Sequence, residues 1–331
     1  MYQATRELRA APGRTALITV TVGLIAVLVT FLSALAAGLS HRSTSALDEL
    51  LGPDDAVMVT DSGATSLAAS RLTTDQVSAA ERSDAAEAWS VGRARVGDEP
   101  VFVFPDSSLA PGEIRPSRAV ADDLGDAGST TLDGHDVTIV GDAGDLWWEH
   151  QPVVLAAPGL AEELAGAASA IVVDESGSAT APEVEGTVVM RGDERMDLSA
   201  SNVGEQTSLG AMTALLYVIS ALVVGAFFMV WTVQRMRGVA VSSALGASRP
   251  TLVADSLGQA VIVLLVGVGA GVAITVAGGA WLASSDVMPV VIDAGTTLWP
   301  GLLLGATGLI GAAVALVPVL RVEPREALAN A

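Results

Sequence analysis

The chain has 331 residues, 51% of them hydrophobic, and a formal net charge of −20. It contains no cysteine, which excludes disulfides, thiolate metal sites and thiol nucleophiles. All 17 basic residues are arginine, and the absence of lysine excludes both the phosphate-binding loop of the usual ATPases and Schiff-base chemistry.

The first predicted span is a membrane helix over residues 15–40, which contains no Asp, Glu or Arg. Three further stretches share this property and lie at 206–234, 256–285 and 294–320. Each exceeds the roughly 20 apolar residues that cross a ~30 Å hydrocarbon layer, and such a stretch satisfies its backbone groups as a helix. The sequence therefore predicts a membrane α-helical fold with four transmembrane helices.

Residues 1–14 precede the first span and are predicted to form a cytoplasmic amphipathic segment. They mix Arg, Glu and Leu ahead of Pro12 and Gly13, and a segment of this kind lies along the inner membrane surface. A cleavable signal peptide is the competing interpretation. Its apolar core would have about 7–15 residues, and this span is longer, so we favour a retained helix.

Residues 41–204 form a polar segment that holds 30 of the 37 acidic residues and nine arginines. Short β-branched runs alternate there with helical patterns, which predicts an α+β domain inserted between helices 1 and 2. The predicted strands lie at 56–59, 101–104, 137–140, 153–155, 171–173 and 188–190, and the predicted helices at 74–82, 117–124 and 160–165. The acidic charge is typical of a solvated surface and argues against nucleic acid as a partner.

Four residues of this segment, two histidines and two tryptophans, have no role that the sequence defines. His135 and His150 lie in acidic turns with no partner at metal-ligand spacing, so both are interpreted as surface residues. The pair Trp147–Trp148 fits either packing or a contact surface. The sequence leaves that choice open.

The arginines near the spans indicate the orientation. They precede the first span, lie between the second and third, and follow the fourth, whereas the loop 286–293 has two Asp and no Arg. Basic residues flank spans on the cytoplasmic side. The prediction is a multi-pass protein of the plasma membrane with both termini cytoplasmic and residues 41–204 extracellular.

Residues 235–250, between the second and third spans, are predicted to form a short cytoplasmic helix. Val239, Ser242 and Gly246 lie at helical spacing, and Gly246 followed by Pro250 would end the helix. One interpretation is a basic loop that obeys the positive-inside rule. The other is a helix that docks on a cytoplasmic partner.

This stretch resembles the coupling helix of the FtsX/MacB-type permeases of ABC transporters, whose pattern is close to R-E-(I/L)-G-(I/V)-x-(R/K)-A-(L/I)-G-A-(S/T). The chain departs from it at Gly238, Ala240 and Ser243, where two family charges are lost. Residues 322–328 are similar to the closing motif of that family, and the order of one span, a large domain and three spans resembles its layout. By this resemblance the residues that couple to the ATPase are Arg235, Arg237, Val239, Leu245, Gly246, Ala247 and Arg249.

The resemblance implies a homodimeric permease that works with two copies of a separate cytoplasmic ATPase. ATP would be bound by that partner, so the chain is expected to have no catalytic site and no intrinsic cofactor. It would act by mechanotransmission, in which movement of the ATPases passes through the spans to the outer domain.

The edges of the first two spans resemble those of HrtB-type haem exporter permeases. Residues 31–39 and 45–50 are similar to their first span, and 204–212 to the E-Q-x-x-L-x-x-M start of their second. This implies haem and membrane lipid as ligands. Related glycolipid permeases share part of these motifs.

Haem is a flat apolar ring with two carboxylates, and its iron accepts axial ligands such as a thioether or an oxygen donor. Glu205, Leu209 and Met212 share one face of a helix, with Glu205 and Met212 about two turns apart. The predicted haem contacts are Glu205, Met212, Leu209, Phe31, His41 and Arg42, with Glu205 or Met212 on the iron and no other metal site.

Plainer interpretations stand beside these. Glu205 would be a first-turn acid stabilised by the helix dipole, and Met212 would fill a gap in packing. His41 and Arg42, which would meet the haem propionates, would otherwise form a solvated pair after the first span.

The sequence predicts the permease subunit of an ABC-type efflux pump that exports haem. A signalling permease that activates a cell-wall hydrolase is one alternative, and an exporter of a glycolipid, peptide or antibiotic is the other. The predicted segments are 1–14 (cytoplasmic), 15–40 (helix 1), 41–204 (extracellular domain), 205–234 (helix 2), 235–250 (coupling helix), 251–285 (helix 3), 286–293 (outer loop), 294–320 (helix 4) and 321–331 (cytoplasmic tail).

Overall fold

The computed structural model describes residues 12–61, 66–83, 85–125, 127–177, 179–244, 249–284 and 288–317. The chain divides into two compact units. The helical unit comprises residues 1–38 and 208–331, and the α+β unit comprises residues 39–207.

Seven α-helices and eleven strands make up the described chain. The helices are α1 (Pro12–Leu50), α2 (Thr74–Ala80), α3 (Arg118–Leu124), α4 (Pro158–Ala165), α5 (Ala200–Ala244), α6 (Arg249–Ser284) and α7 (Ala294–Ala315). The strands are β1 (Asp55–Thr60), β2 (Ala86–Trp89), β3 (Gly92–Val96), β4 (Glu99–Pro105), β5 (Glu113–Pro116), β6 (Ser129–Leu132), β7 (His135–Ile139), β8 (Trp147–Trp148), β9 (Gln151–Ala156), β10 (Ala170–Asp174) and β11 (Thr187–Met190). A 3₁₀ helix spans Gly192–Leu198.

Four helical stretches are long and apolar enough to cross a membrane, as predicted. They are Pro12–Leu50, Ala200–Gln234, Ser256–Leu282 and Ala294–Ala315. Both α1 and α5 are longer than the predicted spans, because α1 continues to Leu50 and α5 begins at Ala200. The predicted spans covered only their apolar parts.

Small residues bring the helices of the helical unit close together. A Cβ placed on Gly271 of α6 would lie 2.5 Å from Ala26 Cβ and 2.7 Å from the Gly23 carbonyl oxygen of α1. The same pair of helices shares a buried hydrogen bond of 2.7 Å between Thr30 Oγ1 and Thr275 Oγ1. Close backbone approach and interhelical hydroxyl bonds replace hydrophobic burial where the surroundings are apolar.

The α+β unit contains two sheets. The first is antiparallel with the strand order β11–β1–β10–β2. The second has the order β4–β3–β6–β7–β5–β9–β8, and a parallel pairing of β4 with β9 closes it on itself. The predicted α+β class is therefore confirmed.

The core of this unit is built on aromatic side chains. Phe104 packs edge-on against Trp89 at 6.1 Å and against Trp148 at 5.9 Å between ring centroids. Trp148 is fully buried, which answers the question that the sequence left open for this residue: it is core packing.

All six predicted strands and all three predicted short helices of this unit are present. The sequence interpretation missed β2, β3, β5, β6 and β8. These strands are short. In β3 buried residues alternate with exposed Arg93 and Arg95, so the strand has no continuous β-branched run from which it could be predicted.

Candidate functional site

A polar cluster in the α+β unit gathers residues from three separate elements. The last turns of α1 supply Ser43, the start of α5 supplies Glu205, and the turn between β8 and β9 supplies His150. All three lie within residues 39–207. Sequence distances of more than 50 residues separate His150 from either partner, so only the fold brings them together.

The position of His150 follows from a tight hairpin turn. Glu149 and His150 connect β8 to β9 and have φ values of 46° and 64°. Two consecutive positive φ values are the pattern of the type I′ turn, a two-residue turn whose twist matches that of the strands it joins. The Glu149 N–H donates to the Ser43 carbonyl at 3.2 Å, and the His150 N–H to the Arg42 carbonyl at 2.9 Å, so the turn is fastened to α1.

The carboxylate of Glu205 is the centre of the cluster. Its Oε1 lies 2.6 Å from His150 Nε2, and its Oε2 accepts a hydrogen bond of 3.3 Å from Ser43 Oγ. Because an ionised carboxylate has no proton, Nε2 must carry the proton of the short contact. The side chains of His150 and Glu205 remain 34% and 26% exposed, so this hydrogen-bonded pair is held in place and still accessible.

Buried hydroxyls support this centre. Ser43 is fully buried and receives a hydrogen bond of 3.3 Å from Ser201 Oγ, which in turn lies 3.0 Å from Ser199 Oγ. Beside them, Ser40 Oγ donates to Asn202 Oδ1 at 2.9 Å. The network joins the end of α1 to the start of α5 through side chains with defined partners.

His41 and Arg42 take part in a second polar group on the same stretch of α1. His41 Nε2 lies 2.9 Å from Asp145 Oδ2, and the Arg42 guanidinium lies 4.7 Å from the centre of the Trp147 ring. Trp147 Nε1 also donates to Asp145 Oδ1 at 2.7 Å. Burial opposes ionisation of Asp145, but the hydrogen bonds from Trp147 and His41, with the positive charges of His41 and Arg118, lower its pKa overall.

Three sequence interpretations need correction here. His150 was interpreted as a surface residue with no partner at metal-ligand spacing, but the hairpin turn half-buries it and places it against Ser43 and Glu205. Glu205 was weighed as a first-turn acid, but α5 begins at Ala200, so Glu205 lies beyond the first turn, where the dipole effect has fallen off. His41 and Arg42 also lie within α1 rather than after it.

The other predicted haem contacts belong to the helical unit. Phe31 and Leu209 are half-buried, and Met212 is 56% exposed. Its thioether therefore belongs to the exposed apolar surface of the helical unit. Whether Met212 contacts a substrate stays a prediction.

The predicted coupling segment lies mostly outside the described side chains. Arg235, Arg237 and Val239 fall in the last turns of α5, and Arg249 is the first residue of α6, with backbone positions only. Leu245, Gly246 and Ala247 lie outside the described residues. The coupling role of these residues stays a prediction.

Metal-binding clusters and pockets offer no second candidate site among the described residues. Within the described ranges, no group of three or more His, Asp or Glu side chains could hold a metal ion.

An apolar groove of about 460 Å³ between α6 and α7 is lined by residues such as Leu265, Gly269 and Leu302. An open apolar groove on such helices is what a lipid-facing surface provides.

Sequence reasoning could not have found His150 or Ser43 as partners of Glu205. His150 follows an acidic residue in a short turn, and Ser43 is one of several small polar residues near the end of an apolar stretch. The only signal was local: a two-residue connection between two apolar runs, which is the spacing of a tight hairpin.

Comparison with known proteins agrees with the predicted resemblance. Residues 210–324 match the family described as FtsX-like permease C-terminal. Over 351 aligned residues the chain is 25% identical to the "Putative hemin transport system permease protein HrtB" of Staphylococcus haemolyticus, covering 99% of each chain.

Two proteins of the same name from strains of Staphylococcus epidermidis also match. One is 29% identical over 133 residues, which is 39% of this chain and 36% of the relative, and the other is 25% identical over 200 residues, which is 59% and 57%. The predicted resemblance to FtsX-like permeases and to haem transport permeases is thus confirmed. The four apolar helices and the permease family indicate a membrane protein.

Proposed function

We propose that this chain is the permease subunit of an ABC-type efflux pump that takes haem from the membrane and exports it. The observation that carries the proposal is the end-to-end similarity to a protein named for hemin transport, which spans 99% of both chains. A match of that extent includes the α+β unit as well as the spans. It therefore supports the proposal more strongly than a shared permease C-terminus alone would.

The chemistry of the polar cluster supports haem as the substrate. Glu205 offers an anionic oxygen ligand, and it lies directly before the apolar stretch that starts at Gln206. Haem partitions into lipid, and its iron accepts an oxygen donor. A partly exposed carboxylate next to an apolar helix suits a substrate that arrives from the bilayer.

The energy source would be a separate ATPase, because the lysine-free chain has no phosphate-binding loop. In this proposal two copies of the chain pair with two ATPases, both termini lie in the cytoplasm and the α+β unit lies outside. Residues 235–250 would transmit the movement of the ATPases. Such coupling requires that ATP binds one conformation of the pump better than the other.

Haem titration of the purified permease in detergent tests the substrate. We expect a shift of the Soret band on binding, with weaker binding in Glu205→Gln and, if Met212 is a ligand, in Met212→Leu. Glu162→Gln, an exposed acid of α4, is the matched control and should titrate like the wild type. No Soret shift in the wild type, together with unchanged haem resistance of cells that lack the gene, would contradict the proposal.

The coupling role needs a separate experiment. Charge reversal in Arg237→Glu should lower haem-stimulated ATP turnover of the reconstituted complex while the permease still folds. Arg321→Glu, predicted to lie on the same side of the membrane, serves as the control for charge alone. If both variants keep full turnover, residues 235–250 do not couple.

A further inference from the structure

We infer that His150 is a positioning residue of the haem site: it holds the Glu205 carboxylate in one orientation through a hydrogen bond from Nε2. The β8–β9 turn then belongs to the substrate site although no residue of that turn was predicted there. The inference rests on the proposed function and deepens it.

The first argument is the geometry of the turn. Glu149 and His150 both have positive φ values, which are uncommon for residues with a Cβ and persist where the surroundings fix them. Here both backbone N–H groups donate to carbonyls of α1. The Glu149 side chain, only 14% exposed, pairs with Arg93 at 3.4 Å. A turn anchored on both sides presents its imidazole at a defined place.

The second argument is the direction of the hydrogen bonds. A carboxylate has about four acceptor positions on its two oxygens. The bond from His150 at Oε1 and the bond from Ser43 at Oε2 occupy one position on each oxygen. Counting the described residues, each oxygen therefore keeps acceptor capacity, and Glu205 can meet an iron or another cationic group without losing its two donors.

The third argument is the support behind the donors. Ser43 is fully buried and accepts a hydrogen bond from Ser201, so its hydroxyl oxygen is held beside Glu205. A second set of partners of this kind orients a ligand and is worth about 10–100-fold in affinity or activity when removed. His150, at 2.6 Å, makes the shortest contact that Glu205 receives in the described part of the chain.

The test compares haem binding in His150→Ala and His150→Gln with the wild-type permease in detergent. We expect roughly tenfold weaker binding and a displaced Soret band in the alanine variant. Glutamine, whose amide nitrogen can donate from a similar position, should recover most of the affinity. His135→Ala is the matched control, since His135 lies in β7 at 4.0 Å from Glu163 and away from the cluster.

A double-mutant cycle with Glu205→Gln separates positioning from the other roles. If His150 acts through Glu205, its removal should have little further effect in the Glu205→Gln background, so the two changes are non-additive. An equal loss in both backgrounds would mean that His150 contacts haem itself and would overturn the positioning role. Wild-type affinity and an unchanged Soret band in His150→Ala would also overturn the positioning role. Together with a lower melting temperature, that result would mean that His150 only stabilises the fold.

The same titration separates this inference from the proposed function. A wild-type protein that binds no haem overturns both. A wild type that binds haem, beside a His150→Ala variant that binds it equally well, overturns only the role of His150.

Discussion

The two units of this chain use apolar side chains in opposite ways. Among the described residues of the α+β unit, the exposed large apolar side chains are Val140 and Val203. In the helical unit such side chains are common on the outer surface, as at Leu17, Leu265 and Trp281. One unit hides its apolar residues from water, and the other presents them to lipid.

The difference shows that the two units are stabilised by different contacts. The α+β unit buries large rings such as Phe104 and Trp148, which gain free energy by leaving water. The helical unit gains little from burial, because lipid is as apolar as leucine. It depends on close approach at small residues and on a few hydroxyl bonds. Substitutions of different types should therefore harm the two units.

The largest expected effect is the loss of a core ring from the α+β unit. Trp148→Ala removes a fully buried side chain that packs on Phe104, and we expect it to lower the free energy of unfolding by about 3–5 kcal/mol. Thermal unfolding of the purified protein, followed by near-UV circular dichroism, measures it. Val140→Ala, at an exposed position, should change little. Equal losses of stability in Trp148→Ala and Val140→Ala would contradict the conclusion that buried rings stabilise the α+β unit.

A smaller effect is expected from adding one methyl group to the helical unit. In Gly271→Ala the new Cβ would meet Ala26 and the Gly23 carbonyl, so α1 and α6 must separate, at a cost of about 1–3 kcal/mol. Gly269→Ala is the matched control in the same helix, because a Cβ there would meet nothing within 4 Å apart from its chain neighbours and the backbone of its own helix. Unfolding in detergent should distinguish them, and equal stability would show that close approach is not needed.

A modest effect is expected from the hydroxyl pair between the same helices. Thr275→Val removes the bond to Thr30, and bonds of this type between membrane helices average about 0.6 kcal/mol. Thr21→Val removes only a bond within α1, to the Leu17 carbonyl, and controls for the change in helix propensity. A loss above about 2 kcal/mol in Thr275→Val would mean that polar contacts, not small residues, hold the helices together.

The smallest effect concerns acid and should be confined to the α+β unit. Two hydrogen bonds from Arg191 and one from the Ala181 N–H lower the pKa of Glu175 from 4.5 to about 2. A carboxyl group with a lowered pKa stabilises the folded state fully above its ordinary pKa, and this contribution is lost as the pH falls from 4.5 towards 2. The free energy of unfolding can be measured at several values between pH 6 and pH 2, a range that includes this window. It should fall less steeply with decreasing pH in Glu175→Gln than in the wild type.

The long elements of this protein could be predicted from local sequence. Stretches without charge, such as 15–40, are long enough to cross a membrane, and runs such as Val153–Leu155 form strands through local preference alone. The same local reasoning placed Glu205 at the start of a helix. It could not see that α5 begins at Ala200, because Ala200–Asn202 are polar or small and carry no apolar period.

By itself the sequence determined four helices long and apolar enough to span a membrane, an acidic α+β segment and the lack of a lysine for a phosphate-binding loop, because length, hydropathy and residue type are local properties. Only the tertiary structure decided which residues hold Glu205. His150 reaches it through a hairpin turn, and Ser43 reaches it from the end of another helix. Such contacts join residues far apart in the chain, and no periodicity or spacing in the sequence encodes them.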